Sequence, residues 1–272
     1  MTTAAATEEA GDSAPVLEAS DVRLSFGAVA ALDGVSFSVG KGELFAVIGP
    51  NGAGKTSLFN LLSRTYTATS GSLRYRGTDL NSVRAHQLAD LGIARTFQNL
   101  GLFMPLTALD NVLVGRSHAM RTGVMGAGLK LPRARREERD NRQLARQALQ
   151  FVGAEGVADI PVGLLPYGMQ KRIEIARALA MGPRLLLLDE PVAGMSSKER
   201  ASISDLIAGL KEEREITICL VEHDMGVVMG LADRVMVLDF GRSIAVGTPS
   251  EVQSDPQVIR AYLGEPLQEE AP

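Results

Sequence analysis

The 272-residue chain carries 45% hydrophobic and 22% charged residues, an ordinary globular balance with enough length for one large or two small domains. A formal net charge of −4 gives no ground for a nucleic-acid-binding surface, which is built from an excess of Lys and Arg. The single cysteine, Cys219, excludes an internal disulfide and suits a reducing compartment, and no run of about 18 apolar residues occurs that would cross a bilayer as a helix.

Residues 1–15 are rich in Ala, Thr and acidic side chains. They lack the basic start and apolar centre of a secretory signal, and are expected to form a disordered lead-in. Residues 16–26 and 35–39 carry strand patterns. Leu44–Ile48 is a short apolar run ending in Gly49-Pro50-Asn51-Gly52, a strand feeding a glycine-rich turn, and residues 57–62 continue as a helix. Residues 72–76 read as a strand before the turn signal Gly77-Thr78-Asp79. From 109 to 153 the texture changes. Gly123, Gly126 and Gly128 break the pattern, then residues 133–152 show helical spacing with Leu144, Ala148, Leu149 and Val152 on one face. A mainly helical insertion is therefore predicted over about 84–177. Residues 130–146 hold seven basic and three acidic side chains. They read as a solvated helix face, with a patch near anionic lipid or a membrane-domain loop as the alternative.

Residues 185–188 and 216–221 are apolar runs of strand length, separated by the helical stripe Ile203, Leu206, Ile207 and Leu210. Residues 234–239 and 243–246 flank Gly241 like a hairpin. Alternating strands and helices with buried-type strands predict an α/β fold whose sheet is mixed and mostly parallel. Met225, Met229 and Met236 are expected to fill core.

Three placements carry chemistry. Gly49-Pro50-Asn51-Gly52-Ala53-Gly54-Lys55-Thr56 fits G-x-x-x-x-G-K-[ST], between a predicted strand and a predicted helix. The glycines let backbone N–H groups approach phosphate oxygens, and the following helix start adds an anion site. Lys55 would reach the β- and γ-phosphates and Thr56 would put its hydroxyl on Mg²⁺. Next, Asp189-Glu190 ends an apolar strand, the edge where open α/β sheets bind ligands. Asp189 suits a Mg²⁺ held through water, and Glu190 suits the polarising of an attacking water. Finally, His223 closes Val221-Glu222-His223 beyond another apolar strand, where an imidazole could donate to a γ-phosphate oxygen or orient the base. His86 and His118 have no such placement and read as structural or exposed.

Taken in order, these elements resemble the ATPases of ABC (ATP-binding cassette) transporters from about residue 17 to 263. The resemblance implies a P-loop NTPase of ABC type. One cassette would span 16–265, with an antiparallel β subdomain, an inserted helical subdomain and a tail at 266–272. It implies that Phe26 stacks on adenine, that residues 51–57 (Asn51, Gly52, Ala53, Gly54, Lys55, Thr56, Ser57) bind the nucleotide, and that Gln98, in Arg95-Thr96-Phe97-Gln98, is the Q-loop glutamine that senses Mg²⁺ and couples to the membrane domain. Asp189 and Glu190 match Walker B, and His223 the switch histidine. Glu190, His223 and Gln98 would serve catalysis; Thr56, Gln98 and Asp189 would serve the metal. The signature departs from Leu-Ser-Gly-Gly-Gln: it reads Leu165-Pro166-Tyr167-Gly168-Met169, so the serine position has neither hydroxyl nor N–H. Ala193-Gly194-Met195-Ser196 likewise departs from the usual D-loop Ser-Ala-Leu-Asp. Because such cassettes dimerise head to tail, the signature serves the partner's ATP, and unequal composite sites are expected.

The Tyr-Gly of the signature, Glu222-His223-Asp224-Met225 and Ala261-Tyr262-Leu263-Gly264 resemble the branched-chain amino acid (Liv-type) subfamily. That resemblance implies ATP and Mg²⁺ as ligands, and integral membrane permease subunits and a second ABC ATPase as partners. A solute-binding protein would join indirectly, nucleic acid would not, and the chain would sit at the cytoplasmic face of the membrane. Import of branched-chain or other hydrophobic amino acids is expected, with urea, short amides or another solute as alternatives. A soluble ABC ATPase of repair, translation or iron–sulfur assembly is a further alternative.

Overall fold

A computed structural model describes residues 14–96, 101–119 and 132–263. They fall into two compact units, one running to Arg84 and resuming at Ala232, the other Ala85–Leu231.

In the first unit, β1 (Leu17–Phe26) pairs antiparallel with β2 (Val29–Val39) and with β4 (Ser70–Tyr75), and β5 (Thr78–Asp79) adds to β4. Leu17, Ala19, Val22 and Leu24 of β1 are buried between exposed neighbours. The alternation skips a beat at Asp21, whose positive φ of 47° accompanies a bulge between Ala19 and Val22. The bulge keeps both halves of the strand facing the core. β3 (Leu44–Ile48) is buried at every position and runs parallel to β9 (Arg234–Asp239). β9 returns as the antiparallel β10 (Arg242–Gly247) through Phe240 and Gly241, both at positive φ, as a tight hairpin requires. α1 (Lys55–Leu62) follows β3. α7 (Pro249–Ser254), opened by a Thr248–Glu251 capping box with Pro249 at its start, and α8 (Pro256–Leu263) follow β10.

In the second unit, β6 (Ile93–Arg95), β7 (Leu185–Asp189) and β8 (Thr217–Val221) are parallel neighbours with β7 in the middle. β7 and β8 are buried throughout, as the unbroken apolar runs predict for parallel strands covered on both faces. Helices α2 (Ala108–Gly115), α3 (Pro132–Phe151) and α4 (Tyr167–Ala180) pack on one another. A Cβ on Gly115 would lie 2.3 Å from the Arg177 carbonyl oxygen, so only glycine allows α2 so near α4. α5 (Ser197–Arg214) and α6 (Met225–Leu231) complete the unit.

Two expectations need correction. Leu144 is exposed; the buried face of α3 runs through Asn141, Ala145, Ala148, Leu149 and Val152, which share one stripe at helical spacing that Leu144 misses. Of the three methionines only Met236, on β9, is core. Met225 and Met229 are half-buried on a short helix whose one buried residue is Val228. Inside α4, Lys171 and Glu174 form an ion pair buried on both sides, Nζ to Oε2 3.1 Å, which no apolar periodicity announces.

Candidate active site

The first unit holds the phosphate loop. β3 ends at Ile48, and Gly49 turns with φ 148° so close beneath β9 that a Cβ would stand 2.1 Å from the Leu238 carbonyl oxygen. Gly54 caps α1 in the left-handed region (φ 105°), where a Cβ would meet the Ala31 carbonyl at 2.6 Å. The loop is fastened from outside. The Gly241 N–H donates to the Ala53 carbonyl at 3.0 Å, and the Asp33 N–H to the Gly241 carbonyl at 2.8 Å. Lys55 Nζ donates to the carbonyls of Gly49 (2.7 Å) and Pro50 (2.9 Å), so the buried ammonium lies over the loop it follows. Asn51, Gly52 and Thr56 are exposed, Gly54 and Ser57 half-buried and Ala53 buried. The first turn of α1 carries no acidic residue, so the positive end of the helix is not offset by a carboxylate there. Burial raises the Tyr262 phenol's pKa against the opposing effect of the Gly49 N–H. A cavity of about 660 Å³ opens between residues 50–53 and Gln257, Arg260 and Ala261.

Phe26 ends β1 with half its surface exposed, and Tyr66 meets its ring edge-on, centroids 5.1 Å apart at 73°. An open aromatic face braced by a second ring suits a purine. Tyr66 was not foreseen from the sequence. It sits between Thr65 and Thr67 just past α1, and nothing in that string signals a ring contact with β1.

The second unit holds the carboxylates. Asp189 closes β7 with its side chain 1% exposed; its N–H donates to Thr96 Oγ1 at 3.3 Å and its Oδ2 accepts from Arg95 Nη2 at 2.7 Å. Glu190 follows at φ 47°, a left-handed conformation unusual for a non-glycine residue, held by its N–H on the Val221 carbonyl. Its Oε1 lies 4.0 Å from His223 Nδ1, which is also 3.8 Å from Glu222 Oε2. These are ion-pair separations rather than hydrogen bonds. Glu190 and His223 are therefore brought together.

Glu222 itself had no role assigned from sequence. It is fully buried and receives the N–H groups of Val192 (3.0 Å) and His223 (3.1 Å). It so ties the turn after Glu190 to the turn that carries His223. Burial raises its pKa against the opposing effect of those N–H groups.

Pro166 is the N-cap of α4 and makes no side-chain cap. Leu164 and Tyr167 are exposed, Pro166 is exposed, and Leu165, Gly168 and Met169 are half-buried. Gln170 Nε2 reaches back to the carbonyls of Leu165 (2.9 Å) and Val162 (3.2 Å), bracing the approach to the helix. A Cβ on Gly168 would stand 2.9 Å from Glu199 Oε1. Glu199 belongs to the capping box that Ser196 makes at the start of α5, so the signature and the Ser196 turn are adjacent within the chain. Gln98 lies outside the described residues.

The donor set fits the expected ligands. In the first unit, glycines that no side chain could replace and a helix start free of acid suit phosphate, and the exposed Thr56 hydroxyl is an oxygen donor of the kind Mg²⁺ takes; in the second unit, the strand-end Asp189 carboxylate is another such donor type. Among the described residues no group of three or more His, Cys, Asp or Glu could hold a metal alone.

The family described as "ABC transporter" matches residues 32–193, and that described as "Branched-chain amino acid ATP-binding cassette transporter" matches residues 242–267. The chain is 41% identical over 253 residues to the high-affinity branched-chain amino acid transport ATP-binding protein BraF of Pseudomonas aeruginosa, spanning 93% of this chain and 99% of that one. It is 39% identical, with the same coverage, to the LivG protein of that description from Escherichia coli K12. Among solved structures, a nucleotide-free ATP-binding cassette from an ABC transporter superposes with a TM-score of 0.81 at 31% identity, covering 93% of this chain and all of that one. Motif geometry, fold and kinship agree: the chain belongs to the ABC transporter family, as one of its ATP-binding, ATP-hydrolysing cassettes.

Proposed function

We propose that this cassette powers the uptake of branched-chain amino acids through permease subunits that other chains supply, working from the cytoplasmic face of the membrane as one half of an ATPase dimer. The observation that carries this reading is the likeness over 93% of the chain to ATP-binding proteins of high-affinity branched-chain amino acid transport, with the C-terminal module at residues 242–267 matching as well. Among the described residues no helix is long and apolar enough to cross a membrane, so the solute's path belongs to partners.

In this reading Phe26 takes the base, and the N–H groups of residues 51–57 with Lys55 take the phosphates. Thr56, Asp189 and Gln98 would hold Mg²⁺, and the ion would supply charge neutralisation at the phosphates. Glu190 polarises the attacking water and His223, 4.0 Å away, orients it or donates to the γ-phosphate. The exposed Pro166 and Tyr167 meet the partner's ATP. With no hydroxyl at Pro166 that composite site lacks one γ-phosphate donor, so a non-identical partner ATPase gives two unequal sites.

The test is reconstitution of this chain with its permease subunits in vesicles. ATP-dependent leucine uptake, lost with Lys55→Ala and with Glu190→Gln, is the expected result. Uptake of urea or a short amide in place of leucine overturns the substrate. Hydrolysis indifferent to every permease overturns the transport reading.

A further inference from the structure

Arg95 and Asp189 form an ion pair that the family motifs leave without a role. The side chains are 10% and 1% exposed, and Nη2 stands 2.7 Å from Oδ2. The pair is built by the sheet. β6 runs parallel to β7 with Arg95 in register with Leu187, two residues short of Asp189, so the long side chain reaches along β7 to its end. The next residue, Thr96, takes the Asp189 N–H on its hydroxyl at 3.3 Å and so fixes the backbone of the same carboxylate. One oxygen of Asp189 is thus already engaged by a full positive charge in a place with almost no solvent.

We propose that Arg95 is a positioning residue that sets the cation affinity of Asp189 low, so that Mg²⁺ is captured only together with ATP. This rests on the reading above that Asp189 serves Mg²⁺. A buried carboxylate with no counter-charge attracts a divalent cation strongly; one paired to a guanidinium presents a nearly neutral unit, and the guanidinium repels the dication at close range. Mg²⁺ gives up its water reluctantly. It stays in such a site only when the phosphates bring further negative charge. A purely structural role, in which Arg95 merely satisfies a buried acid, makes no such demand.

The experiment uses the full chain and its Arg95→Met, Arg95→Lys and Asp189→Asn variants. Two quantities are read: the shift in melting temperature caused by MgCl₂ alone, and the Mg²⁺ concentration at half-maximal binding of a fluorescent ATP analogue. In Arg95→Met, MgCl₂ alone raises the melting temperature more than in the parent, and half-saturating Mg²⁺ falls on the order of tenfold, the worth of one charge-assisted bond. Arg95→Lys, which keeps the charge and loses the fork, falls between, and carries the test if Arg95→Met does not fold. If Asp189→Asn changes the Mg²⁺ dependence while both Arg95 variants leave it at the parental value, the pair is structural and the inference is wrong. If Asp189→Asn itself leaves Mg²⁺ dependence unchanged, the metal role of Asp189 falls, and this inference with it.

Discussion

Replacing Pro166 with serine separates the stability of the signature helix from its chemistry. Pro166 is the N-cap of α4, at φ −57° and ψ 150°, with no side-chain cap, and its carbonyl takes the N–H groups of Met169 (2.9 Å) and Gln170 (3.1 Å). A serine in that conformation would accept the N–H of Gly168 and stabilise the helix by about 1 kcal/mol. Losing the proline ring gives the unfolded chain more freedom, at a cost of about 0.4–1 kcal/mol. The two nearly cancel, so the melting temperature of Pro166→Ser should lie within about 2 °C of the parent. Contact with a partner's nucleotide has no such cancellation. One hydroxyl bonded to a γ-phosphate oxygen is worth about 1.5–3 kcal/mol, tenfold or more in association. Sedimentation of the Glu190→Gln chain with ATP, with and without Pro166→Ser, reads that gain as a tighter ATP-dependent dimer. An unchanged dimer affinity alongside an unchanged melting temperature would refute the claim that the signature lacks a donor. A melting temperature raised by several degrees would refute the cancellation.

Other perturbations reach the rest of the molecule. Lys171→Met or Glu174→Gln removes one half of the buried pair in α4 and should cost about 3–5 kcal/mol in urea denaturation, while the double variant costs much less than the sum; simple additivity would mean the pair is not coupled. Gly49→Ala should abolish ATP binding and lower the urea midpoint, because its Cβ meets the Leu238 carbonyl. Gly77→Ala, at φ 79° with nothing within 4 Å, should lose only about 1–2 kcal/mol and bind ATP normally. Glu222 has its folded pKa raised by burial, so its contribution to stability is complete below its ordinary value of 4.5 and is lost as pH rises through the raised folded value. The melting-temperature difference between parent and Glu222→Gln should therefore favour the parent most below about pH 4.5 and decline toward neutrality. A constant offset across that range would assign the effect to geometry instead.

Strands and phosphate loop were legible because each rests on local chemistry. Five apolar residues in a row at Leu44–Ile48, and four at Leu185–Leu188, have few structural alternatives once glycine or acid follows. What the sequence hid is tertiary. Leu144 looks as apolar as Leu149, and only the position of neighbouring helices decides which faces inward. Tyr66 becomes a partner of Phe26 because the chain after α1 returns to the end of β1. Glu222 stands beside His223 in the string, where it reads as one more acid. Its meaning lies in Val192, thirty residues away, whose N–H it receives. Arg95 is the same case, since its charge has no significance until β6 is laid beside β7.

These hidden residues share a physical reason for being where they are. A site that handles phosphate and Mg²⁺ needs charges with little solvent around them, and a charge so placed is costly unless the protein itself gives it a partner. Lys55 takes two carbonyls of its own loop, Asp189 takes Arg95, and Glu222 takes backbone N–H groups on either side of the site turns. The partners differ in strength. Neutral carbonyls hold an ammonium less firmly than phosphate does, so Lys55 exchanges readily, whereas a guanidinium on a carboxylate must be outweighed. Motif recognition finds the charges that meet the ligand. The groups that hold those charges are found only through the packing, and they determine how much binding free energy is left for nucleotide and metal.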